Sequence, residues 1–93
     1  MSTSHHLKTL PAYWDAIARG DKLFEVRKDD RAFQAGDILV LERYDADDRR
    51  DPLAHFQTMS LQRLVTFVLR GGQFGVEPGY VVLSLRDISG DDL

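Results

Sequence analysis

The chain contains no cysteine. That excludes a disulfide scaffold and any thiolate metal site, and it suits a reducing compartment. Long apolar runs are missing too. The longest is Ile38–Leu41, far short of the ~20 residues a membrane-spanning helix needs. Met1-Ser2-Thr3-Ser4-His5-His6 lacks the basic and apolar regions of a secretory signal. The expectation is a cytoplasmic protein without membrane contact. Positive charge is also in short supply. The net charge of −3 argues against a protein that coats duplex DNA by charge alone.

What is present is enough for one folded domain over residues 1–93, with residues 1–4 and 89–93 expected as flexible ends. Apolar residues make up 43%, too many for a disordered chain. A chain of this size buries only about 60–65% of its unfolded surface, so the core is modest. The charge is uneven. Residues 1–31 carry six Lys/Arg and five Asp/Glu, while residues 32–93 carry six and ten. An anion site is therefore expected in the first third, since a local basic pocket can coexist with a negative total.

Periodicity places a short strand at His5–Lys8. A helix of about ten residues follows, with Thr9 or Leu10 at its cap, Pro11 in its first turn and Gly20 ending it. Leu10, Tyr13 or Trp14, and Ile17 give it one apolar face. Leu23–Lys28 reads as a strand with Phe24 and Val26 on one side and Glu25 and Arg27 on the other. After a turn at Ala35-Gly36-Asp37 come strands at Ile38–Tyr44, Leu61–Leu69 and Tyr80–Leu85. Leu61, Val65, Phe67 and Leu69 are expected on one face. Asp45–Pro52, with Arg49 and Arg50, reads as a solvated loop, and Gly71–Gly79 as an irregular turn. One short helix cannot cover both faces of an open sheet. The expected fold is therefore α+β: a small β-barrel of about five strands with one N-terminal helix packed at the barrel end.

The segment richest in chemistry is Gly20-Asp21-Lys22-Leu23-Phe24-Glu25-Val26-Arg27. Lys22 lies at the helix-to-strand turn. Glu25 and Arg27 are two apart on one strand face, roughly 6.8 Å between Cα atoms. Arg27 can grip a phosphate, a carboxylate or a base edge at two points. Glu25 can orient Arg27 or accept from a base amino group. Spacing alone equally describes a surface ion pair worth about 0–1 kcal/mol.

Gly20-x-Lys22-x-x-Glu25-x-Arg27 resembles the signature of ASCH domains, which have a PUA-like barrel. The surroundings resemble a narrower bacterial and phage group of small ASCH-like proteins of unknown function, the DUF3850 group. The matching pieces are His5-x-Leu7-Lys8, Asp30-Arg31-x-Phe33, Gly36-Asp37-Ile38-Leu39 and Gly79-Tyr80-Val81-Val82-Leu83. The Asp45–Thr58 loop departs from that pattern. The resemblance implies RNA binding in a cleft beside the Gly-x-Lys segment. Some ASCH-like enzymes deacetylate acetylcytidine with a lysine, a threonine and a glutamate. Lys22 matches that lysine, but Glu25 stands where the threonine belongs. Another ASCH protein cleaves RNA; Lys22, Lys8, Tyr44 and His5 could stabilise a phosphate in such a reaction, but the sequence does not specify its chemistry.

His5 and His6 point to opposite faces of a strand, and adding His55 gives no metal-ligand spacing. No metal and no cofactor is expected. Tyr13 and Trp14 suggest base stacking, although the helix needs at least one of them, Trp14, for its core. Phe33 is expected to pack against the barrel and Asp37 to cap its turn. The leading expectation is a module that binds RNA or a nucleotide-like small molecule through His5, Lys8, Lys22, Glu25, Arg27, Arg31 and Tyr44. Two alternatives stand beside it. One is an enzyme acting on RNA or a modified nucleoside through Lys22 and Glu25. The other is a domain binding a protein or a metabolite.

Overall fold

The computed structural model describes residues 2–45 and 59–88. The Arg49-Arg50 loop, His55 and the 89–93 tail lie outside the described residues. Five strands and one helix follow in the order β1 (Ser4–Thr9), α1 (Pro11–Arg19), β2 (Phe24–Lys28), β3 (Ile38–Arg43), β4 (Ser60–Arg70) and β5 (Tyr80–Asp87). They form one sheet with spatial order β1-β3-β4-β5-β2. β1 and β3 run parallel, and every other pair is antiparallel. Thr3 and Ser4, expected at a flexible end, are tied into the sheet: Ser4 opens β1, and the Thr3 carbonyl accepts from the Ile38 N–H at 2.9 Å.

The helix ends as its sequence directs. Pro11 occupies the first turn, where its missing N–H costs nothing, and Leu10 holds the cap without a side-chain bond. Gly20 takes φ 84°, and the Asp21 and Lys22 amides turn back onto the Ala16 carbonyl. That reversal delivers Lys22 directly to the start of β2. Trp14 and Ile17 are buried, and Trp14 Nε1 donates to the Leu41 carbonyl at 2.9 Å. Asp15 grips Arg43 at two points, and Arg63 reaches the Ile17 carbonyl from below. These contacts lay α1 over the inner side of β3 and β4.

The inner face of the sheet carries the core: Leu7, Leu39, Leu41, Val65, Val81, Leu83 and Leu85, with Phe33 folded in from the loop after β2. Each fully buried Leu, Val or Phe contributes about 1.5–3 kcal/mol. Two expectations need correction. First, the barrel is not closed. The curled sheet is a half-barrel, and its edge strands β1 and β2 share no backbone ladder among the described residues. Second, Leu61, Val65, Phe67 and Leu69 do not share a face. The β4–β5 register shifts between Val65 and Phe67. The extra residue, Thr66, flips the alternation. Val65 is buried and Val68 packs on the core, whereas Phe67 is 62% exposed.

Candidate cleft at the strand seam

β2 shows an inverted alternation. Glu25 is buried and Arg27 half-buried, while Phe24 and Val26 are exposed. The polar residues therefore face the concave side, toward the gap between β2 and β1. A cleft of about 470 Å³ lies there, lined by Lys8, Thr9, Leu10, Tyr13, Lys22, Phe24, Glu25, Val26 and Arg27.

Glu25 organises it. Its side chain is only 5% exposed, and its two oxygens are shared between two cations. Lys22 Nζ donates to Oε1 at 2.7 Å, and Arg27 Nε donates to Oε2 at 2.8 Å. Lys22 also donates to the Phe24 carbonyl at 2.7 Å and sits 4.7 Å from the Phe24 ring and 5.5 Å from the Tyr13 ring. Two of its three donors are thus committed. Glu25 acts here as a positioning residue: its carboxylate is nearly enclosed, and each of its oxygens is engaged by a flanking cation. Removing one cation would leave the buried carboxylate paired with the other alone and strip one of its oxygens of its donor, so the trio holds together as a unit.

Arg27 closes the seam. Its Nη2 donates to the Lys8 carbonyl at 3.0 Å and to the Thr9 hydroxyl at 3.1 Å. A side chain thus does between β1 and β2 what a backbone ladder does between the other strands. Nη1 retains its donors for a ligand. Lys8 stands at the mouth, 4.7 Å above the Tyr44 ring, with no carboxylate partner among the described residues. Three cations against one carboxylate leave the cleft positive within a negative protein.

The structure brings together four of the seven expected residues: Lys8, Lys22, Glu25 and Arg27. Tyr44 touches the cleft only through Lys8. Arg31 lies farther along the seam, donating from Nη1 to the His6 carbonyl at 3.1 Å. His5 is elsewhere. It is buried against Phe33, with ring centroids 4.7 Å apart, and its Nε2 is 2.9 Å from Asp37 Oδ2. Asp37 also accepts the Thr3 and Gln34 amides. Burial alone would push the Asp37 carboxyl up; the His5 ring and the two amides outweigh it and hold the group below its usual range. This clasp fastens the turn before β3 to the start of β1, and neither His5 nor Asp37 lines the cleft.

Thr9, Leu10, Phe24 and Val26 also line the cleft, beyond the residues that the motifs mark as a site. The alternation of Phe24-Glu25-Val26-Arg27 was the available signal. It separated two faces but carried no mark of which one looked inward. Among the described residues no group of three His, Asp or Glu side chains is placed as metal ligands, and no helix is long and apolar enough to cross a membrane.

No curated protein matches the chain. The profile of a family described as "Domain of unknown function (DUF3850)" matches residues 4–85, nearly the whole of it, and takes in β1, α1, the cleft and most of β5. The chain belongs to the DUF3850 family.

Proposed function

We propose that this protein is an ASCH/PUA-like binding module whose seam cleft takes a segment of RNA or a nucleotide-like molecule. The observation that carries the reading is the Lys22–Glu25–Arg27 unit, which faces the concave side beside an open cleft. Guanidinium and ammonium groups fixed by a common carboxylate are preorganised for a phosphate. Tyr13 and Phe24, both substantially exposed at the same mouth, offer apolar ring surface for a base. Phosphate contacts supply affinity in this reading, and the rings tolerate any base.

The test is fluorescence anisotropy with labelled single-stranded RNA across a salt series. Lys22→Ala and Arg27→Ala are each expected to weaken binding and to flatten its salt dependence by about 0.7–1 unit of slope per lost contact. Unchanged binding in both variants refutes the reading.

One observation favours a second reading. Arg27 is already paired with Glu25, as in a site made for a smaller polar metabolite or a protein side chain rather than for a nucleic acid. RNA that fails to bind at low salt, with a carboxylate metabolite or peptide that does bind, supports that alternative. Catalysis by Lys22 and Glu25 has weaker support, because each engages the other. Incubation with acylated nucleosides and RNA, followed by mass spectrometry, tests it directly.

A further inference from the structure

The free edge of β1 has a regular feature. The carbonyls of Thr3, just before β1, and of Thr9, its last residue, accept from the β3 side, at the Ile38 and Tyr44 amides. The even-numbered residues therefore turn their carbonyls to the opposite, open edge. Two of these are capped by arginines: His6 by Arg31 and Lys8 by Arg27. The guanidiniums occupy the places where the N–H groups of a neighbouring strand would stand. Such capping blocks edge-to-edge pairing, and it also sets a spacing. Two residues along a strand separate the caps by about 6.6 Å, on the order of one nucleotide step in an unstacked single strand.

Both caps keep donors to spare. Arg27 has committed Nε and Nη2, and Arg31 only Nη1, out of five N–H groups each. Neither position is left to chance. Arg27 is held by Glu25. Arg31 leaves a loop whose next residue, Ala32, has φ 50°, and whose following residue, Phe33, is fully buried. A non-glycine residue in that region costs on the order of 1 kcal/mol, so the turn is imposed by its anchors. One anchor is Phe33 in the core; another is the Asp29 amide, bonded to the Gly79 carbonyl at 2.8 Å.

We infer that the seam holds two successive phosphates of a single-stranded RNA, one at Arg27 in the cleft and the next at Arg31. The ligand is then a chain of at least two nucleotides laid along β1, not an isolated nucleotide. This rests on the nucleotide-binding reading of the cleft. It adds a second subsite outside the cleft, with Arg31 as the residue that tells a chain from a monomer.

The experiment compares adenosine monophosphate with the 5′-phosphorylated dinucleotide pApA, titrated into the full chain by calorimetry at three salt concentrations. The dinucleotide is expected to bind about fivefold or more tighter, with a salt slope steeper by about 0.7. Arg31→Ala is expected to erase both differences and leave the monophosphate affinity within about twofold. Arg31→Lys, which keeps the charge, is expected to restore the slope and part of the affinity. Equal binding of both ligands to the wild type, or a dinucleotide advantage that survives Arg31→Ala, overturns the second subsite while leaving the cleft reading in place. No binding of either ligand overturns both.

Discussion

Arg27 on β2 donates to the main-chain carbonyl of Lys8 on β1 at 3.0 Å, and this bond spans the only seam in the sheet that lacks a backbone ladder among the described residues. The same guanidinium neutralises buried Glu25. One side chain thus joins fold and site, and the two roles separate on substitution.

Arg27→Ala is expected to cost about 1–3 kcal/mol, because it strips the Lys8 and Thr9 acceptors and leaves Glu25 with Lys22 alone. Arg27→Lys keeps the charge but cannot reach Glu25, Lys8 and Thr9 in a fork, so it is expected to restore only part of the loss. Urea unfolding of the three proteins measures this. Equal midpoints for wild type and Arg27→Ala would mean that the seam bond stabilises nothing.

The His5–Asp37 clasp makes a prediction about pH. The Asp37 carboxyl is held below its usual value of 3.8. A carboxyl with a lowered native pKa stabilises the fold fully above its unfolded value, and that stability is lost as pH falls through the native value. Asp37→Asn is expected to cost about 1–3 kcal/mol near neutral pH. It is also expected to flatten the stability profile below pH 3.8. Unfolding free energies from pH ~2 to ~6 test this; identical acid slopes in the two proteins contradict it.

Much of the framework was legible from residue pattern. Gly20 ends the helix in a left-handed conformation, as its place after Arg19 suggested, and Trp14 went to the core while Tyr13 stayed at the surface. What pattern could not carry was long-range geometry. The parallel β1–β3 pair inserts β1 beside a strand about 30 residues away, and no local signal announces that. The bulge at Thr66 looks like any other residue of an alternating strand, yet it reverses Phe67 and Leu69. His5 and Arg31 share a set of motifs with Lys22, which is all that groups them in the sequence. Space assigns one to a turn clasp and the other to a strand edge. The seam itself is a relation between edges, invisible until the sheet order is known.

Gly71 sits where β4 leaves for the turn toward β5. A Cβ there would collide with the Glu77 carbonyl and stand 2.7 Å from the Tyr80 carbonyl. Both obstacles are backbone, so neither can swing aside. Gly71→Ala is expected to destabilise the protein by about 2–3 kcal/mol. Gly72→Ala meets only the Pro78 ring, at 4.0 Å, but has φ 88° and is expected to lose about 1 kcal/mol through strain alone. Thermal melts of the pair rank them; a smaller loss at Gly71 than at Gly72 contradicts the packing of this turn.

We propose the β1–β2 seam as the surface that receives the nucleotide-like ligand. Amide NMR of the isotope-labelled protein, titrated with a short single-stranded RNA, tests it most directly. Shifts are expected at Lys8, Thr9, Lys22, Glu25 and Arg27, extending to Arg31, with Phe67 and Leu69 on the outer face unmoved. Shifts centred on the outer face, or none at any concentration of RNA, contradict it.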